Sequence, residues 1–171
     1  MIDGVKFFTQ TAFEDERGEL WTTWDKSWCD IDFVRDKVST SKFWTLRGIH
    51  GDFKSHKLVS CIYGRLFFVL VDNRKDSPTY LQHQTLYLRS PGSVKDSILI
   101  PPGVGNGFVV LSESAVFNYK WSYPGEYPDV DEQFSLRWND PKLNIRWPLF
   151  STDIASYPFI MSDRDKNAPL L

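Results

Sequence analysis

The 171-residue chain has only three histidines, two cysteines and two methionines, and each scarcity narrows what it can do. Cys29 and Cys61 have neither zinc-type nor redox spacing, so two free thiols are expected. Histidine metal sites need several His converging on one ion, usually with a carboxylate. His50 has no histidine two residues on, and His56 and His83 read as surface residues, so no metal is expected. No apolar run approaches the ~20 residues of a membrane-spanning helix. The opening Met1-Ile2-Asp3-Gly4-Val5-Lys6 lacks a basic stretch followed by an apolar one, so no signal peptide and a cytoplasmic location are expected. Neither sign of charge dominates: 20 Lys and Arg face 22 Asp and Glu, for a net charge of −2. That balance argues against nucleic-acid and anionic-membrane partners. An anionic ligand must then be held by a local cluster of Arg and Lys. Repeats and Ser/Gly linkers are also absent, so residues 1–171 are expected to form one domain.

What the chain does have is aromatic side chains: 16%, including seven Trp and thirteen Phe. Aromatics favour strands and line pockets for rings. Residues 57–63 and 66–72 are two apolar runs around Gly64-Arg65, which reads as a hairpin. Residues 73–78 read as a polar turn, and residues 80–88, 97–100, 108–111 and 115–120 as further strands. Short helices are expected only over residues 25–34 and 151–156. The pattern predicts an all-β sandwich or barrel of the jelly-roll kind.

Arg47-Gly48-Ile49-His50 is the segment richest in chemistry. Histidine exchanges protons near neutral pH. The arginine can clamp a phosphate or carboxylate, and the glycine lets the backbone approach a ligand. Taken alone, the segment also reads as a solvated strand end. Asn106, in Gly103-Val104-Gly105-Asn106-Gly107, reads equally as a turn asparagine at positive φ or as a hydrogen-bond partner for substrate or Tyr119. Trp21, Trp24 and Trp121 are candidates for stacking on a base, with core packing the alternative.

Over nearly its whole length the chain resembles the dTDP-4-dehydrorhamnose 3,5-epimerases and their nucleotide-sugar relatives. The matching elements come in order: Phe13-x-Asp15-x-Arg17-Gly18-x-Leu20, Arg47-Gly48-Ile49-His50, Lys57-Leu58-Val59, and Val71-Asp72-x-Arg74-x-x-Ser77-x-Thr79. Next come Ile100-Pro101-x-Gly103, Gly107-Phe108, Tyr119-Lys120, Trp138-Asn139-Asp140-Pro141, Ile145-x-Trp147-Pro148 and the tail Met161-Ser162-Asp163-Arg164-Asp165. The resemblance implies a cupin-type β jelly roll that epimerises a nucleotide-linked 4-keto sugar at C3, C5 or both without a cofactor. It implies His50 as the base, Asp165 as its carboxylate partner, Tyr119 as the acid and Lys57 as stabiliser of charge on the C4 oxygen. Arg47, Arg17 and, less directly, Arg35 and Lys37 would hold the diphosphate, with Asn106 and Tyr127 as further substrate contacts. It also implies a homodimer that exchanges N-terminal strands.

The chain departs from the family pattern in several places. Asn106 replaces a histidine, Arg35 and Lys37 replace Gln and Asn, the loop from His50 to Lys57 is short, and residues 121–132 differ. Arg-Gly-Ile-His-Gly-Asp and Arg-Lys-Asp-Ser-Pro-Thr-Tyr-Leu are closer to the GDP-4-keto-heptose epimerases of capsule biosynthesis. Two rivals stand beside epimerisation: a 3,4-ketoisomerase on the same substrates, and a sugar-nucleotide-binding module that has lost the chemistry.

Overall fold

The computed structural model describes residues 1–123, 132–148 and 159–171. Its spine is β6 (Lys57–Asp72), a single strand of 16 residues. The hairpin expected at Gly64-Arg65 does not form; the strand continues through Gly64 and changes partners there. Before Gly64, β6 lies between β8 (Val94–Ile100) and β10 (Ser114–Trp121). Beyond it, β6 lies between β7 (His83–Ser90) and β9 (Val104–Val110). Gly64 has φ 87°, and a Cβ there would stand 2.3 Å from the Ser114 carbonyl oxygen. A glycine between two apolar runs gives the same sequence signal whether the chain reverses or passes from one layer to another.

β1 (Lys6–Thr11) and β4 (Arg35–Lys42) flank the first layer, and β5 (Leu46–Gly51) and β11 (Phe134–Ser135) extend the second, all antiparallel. β2 (Phe13–Asp15) and β3 (Gly18–Leu20) form a separate two-stranded sheet. This is the expected all-β jelly roll. The helical elements among the described residues include a 3₁₀ turn at Lys26–Trp28 and α1 (Asp163–Lys166). The helix expected over residues 25–34 shrinks to that turn, capped by Asp25, which accepts the Ser27 N–H at 2.8 Å. The one expected over 151–156 lies outside the described residues.

The continuous apolar run in the second half of β6 follows from burial on both faces. Leu66, Phe68 and Leu70 pack between the layers with Val59, Ile98, Phe108 and Phe117. Phe67, Val69 and Val71 face outward, under Trp138, Trp147 and Phe159. Each such side chain contributes roughly 1.5–3 kcal/mol. The strand ends in a polar knot. Asp72, fully buried, accepts from Arg74 Nε and Nη2 (both 2.8 Å), Ser77 Oγ (2.5 Å) and Thr79 Oγ1 (2.6 Å). Arg74 Nη2 also donates to the Asp3 carbonyl at 2.7 Å. The Val-Asp-x-Arg-x-x-Ser-x-Thr motif thus ties the turn after β6 to the N-terminus.

Candidate active site

Between the layers is a cavity of about 310 Å³ whose walls come from four parts of the fold. β5 supplies Arg47 and His50, β9 supplies Asn106, and α1 supplies Arg164 and Asp165. The first layer supplies Lys57 and Val59 from β6, facing Trp121 and Tyr119 from β10 in register. Alternate residues of a strand share a face, so Lys57 with Val59 and Tyr119 with Trp121 fall on the cavity side together. A second cavity of about 560 Å³, lined by Cys61, Arg65, Arg89 and Asp96, contains none of the expected site residues. Burial pushes its Cys61 thiol up to about 11, leaving it protonated near neutral pH. Cys29 and Cys61 are both free.

His50 Nε2 and Asp165 Oδ1 are 2.7 Å apart, and neither atom has a hydrogen-bond partner elsewhere among the described residues. Asp165 is buried, and the Ser162 hydroxyl, which caps α1, donates to its Oδ2 at 2.9 Å. The Ser162 hydroxyl oxygen in turn accepts the Asp165 N–H at 3.2 Å. The Ser-x-x-Asp helix start therefore fixes this carboxylate. Gly48 is needed here for a reason other than ligand approach. Its φ is 106°, and a Cβ would lie 2.6 Å from Asn106 O and Gly107 Cα. The close approach is between β5 and β9, where His50 pairs with Asn106. Asn106 is accordingly a strand residue, not a turn asparagine at positive φ.

Lys57 is buried, and its Nζ is 3.8 Å from Asp52 Oδ2. Burial lowers its pKa, the Asp52 charge opposes this, and Arg164 adds to the lowering. Tyr119 is half-buried; burial raises its pKa and the Arg47 charge works against the rise. Arg47 Nε donates to Ser41 Oγ at 2.9 Å. Trp121, edge-on to Tyr119, is the one of the three singled-out tryptophans that lines the cavity.

Other expected residues are not gathered here. Arg17 is exposed on the β2–β3 sheet and is bound by Asp15 at 2.5 Å. Arg35 lies opposite Trp121 without lining the cavity, while Lys37 lies opposite Tyr119 with Nζ 4.7 Å from the Trp121 ring centre. Tyr127 lies outside the described residues. His83 is exposed; His56, expected at the surface, is half-buried, and burial lowers its pKa. Among the described residues no three His, Cys, Asp or Glu side chains are grouped to hold a metal ion, and no helix is long and apolar enough to cross a membrane.

Arg164 was missed as a site residue. Its Nε donates to Ser135 Oγ at 3.0 Å, its Nη1 donates to Gln133 Oε1 at 3.1 Å, and its buried Nη2 has no partner among the described residues. Its place beside Asp165 in the tail motif was the available signal.

A histidine–aspartate pair, a lysine and a tyrosine around one cavity of a jelly roll define the class: a cupin-type β-roll with a cluster of acid–base side chains. The chain belongs to the dTDP-4-dehydrorhamnose 3,5-epimerase family, whose model matches residues 1–171. It is 35% identical to the dTDP-4-dehydrorhamnose 3,5-epimerase of Salmonella typhimurium over 99% of this chain and 92% of that one. The dTDP-6-deoxy-D-glucose-3,5-epimerase of Legionella pneumophila, solved with dTDP-4-keto-L-rhamnose, is similar at 32% identity and TM-score 0.84, covering 99% of this chain and 88% of that one. A 3'-monoepimerase of Streptomyces bikiniensis, solved with dTDP-quinovose, is similar at 27% identity and TM-score 0.83, covering 99% and 84%.

Proposed function

We propose that residues 1–171 act as one domain that epimerises a nucleotide-linked 4-keto sugar at C3, C5 or both. The observation that carries this is the His50–Asp165 pair on one layer's side of the cavity with Tyr119 on the other. A proton on the carbon beside the C4 ketone is acidic because its electrons can move onto the ketone oxygen. His50 takes that proton. With Nε2 at Asp165, Nδ1 is the nitrogen that receives it, and the carboxylate stabilises the imidazolium. Lys57 stabilises the enolate oxygen, and Tyr119 returns a proton to the opposite face of the sugar. Burial keeps the phenol protonated and ready to donate. Arg47 and Arg164, which both line the cavity, hold anionic oxygens of the substrate, and Asn106 gives a neutral hydrogen bond beside His50.

The finer reading is a GDP-4-keto-heptose as substrate, supported by the segments Arg-Gly-Ile-His-Gly-Asp and Arg-Lys-Asp-Ser-Pro-Thr-Tyr-Leu. The alternative is a dTDP-4-keto-6-deoxyhexose, supported by the relatives' names. The experiment is incubation with GDP- and dTDP-linked 4-keto sugars in D2O, following deuterium at C3 and C5 by NMR. Exchange at neither carbon on any of them would sink the proposal. A homodimer with exchanged N-terminal strands completes the reading. Phe13 and Leu20, directly paired on the β2–β3 sheet, are 63% and 71% exposed, and Arg17 lies in the turn that joins the two strands. An exposed apolar pair on a small sheet needs a cover.

A further inference from the structure

The short loop between His50 and Lys57 contains a buried carboxylate to which nothing above assigns a task. Asp52 is 2% exposed. Its Oδ1 accepts the N–H groups of Lys54 (2.9 Å) and Ser55 (2.6 Å), closing a turn, and its main-chain oxygen accepts the Gly103 N–H at 2.7 Å. The other carboxylate oxygen, Oδ2, is buried without a hydrogen-bond partner among the described residues and lies 3.8 Å from Lys57 Nζ. A buried charge in that position is tolerated only against an opposite charge. We propose that Asp52 is a positioning residue of the epimerase reaction, its turn-anchored carboxylate holding Lys57 as an ammonium ion directed into the cavity.

This rests on the role given to Lys57 above. The cationic form of a buried lysine is disfavoured by desolvation, and Arg164 from α1 adds a like charge. His50, Asp165, Arg47 and Tyr119 share the same cavity. Asp52 is the carboxylate in direct ion-pair contact with Lys57, and a neutral lysine would not stabilise an enolate. The turn that Asp52 closes lies between β5 and β6, which places its carboxylate beside Lys57, the first residue of β6.

The test is Asp52→Asn, which keeps the Oδ1 acceptor and removes the charge. Acetic anhydride acylates only the neutral amine, so Lys57 labelling against pH, read by mass spectrometry without substrate, reports its protonation. The labelling midpoint should move to lower pH, raising labelling at pH 8 on the order of tenfold. The alkaline limit of kcat should fall with it while KM stays nearly constant. A purely structural role would leave the midpoint in place, and an unmoved midpoint in the folded variant overturns the proposal. Should Asp52→Asn not fold, Asp52→Asn/Lys57→Met must fold if the two charges exist for each other. Failure of the double variant as well would assign Asp52 to the turn alone and overturn the proposal. If wild type exchanges no deuterium into any 4-keto substrate, the function above fails, while the labelling curve still decides the pair.

Discussion

His50 Nε2 meets Asp165 Oδ1 at 2.7 Å, the histidine on β5, between β9 and β11, and the aspartate in a four-residue helix near the C-terminus. The contact ties the tail to the cavity. Ser162 caps the helix and donates to the same carboxylate, so the orientation of the imidazole depends on a helix start three residues upstream.

His50→Asn should abolish deuterium uptake while preserving the fold and nucleotide binding. Loss of a general base costs about 10²–10⁴-fold. A variant within a few-fold of wild type by NMR exchange would remove His50 from that role.

Tyr119→Phe separates proton removal from inversion. With the phenol gone, His50 still removes the proton and returns it to the face it came from. The variant should wash deuterium into substrate without net inversion, read by NMR of recovered substrate. Full inversion would point to a different acid.

Gly48→Ala should cost about 3 kcal/mol, combining strain at positive φ with a clash against β9. The urea midpoint measures it, and activity should fall with it because β5 and β9 carry His50 and Asn106. An unchanged midpoint would contradict the close approach of the two strands.

Asp72 gives an acid limit to stability. Burial alone would raise its pKa, but the hydrogen bonds from Arg74, Ser77 and Thr79 outweigh it and hold the group well below the usual carboxylate range. A depressed folded pKa contributes stability that is present above the unfolded value of about 3.9 and is lost as pH falls toward the folded one. Asp72→Asn should therefore cost about 3 kcal/mol at neutral pH and flatten the loss of stability below about pH 4. Denaturant melts at pH 3 and pH 7 test both.

Sedimentation at micromolar concentration should give a dimer, and Phe13→Glu/Leu20→Glu should shift it toward monomer. A stable, fully active wild-type monomer would rule out the exchanged arms.

The strands near the cavity were legible in the sequence because apolar and aromatic runs broken by Gly and Pro leave few alternatives to a β-roll. His50 was legible as a candidate because the chain has only three histidines. Gly64 misled because turn and layer crossing share one local signature, and Asn106 misled because the glycines around it serve close packing against Ile49 and Phe134 rather than a turn.

By itself, then, the sequence determined an all-β chain with a candidate histidine set beside an arginine and a glycine, through patterns confined to neighbouring residues. Only the tertiary structure decided that Asp165 reaches His50, that Asp52 lies 3.8 Å from Lys57 Nζ, that Arg164 lines the cavity and that Arg17 does not. Each of those facts is a distance or a burial set by how two layers and a tail pack together. Local patterning does not encode such distances, because the same charged residue is solvated or buried according to what the rest of the chain places over it.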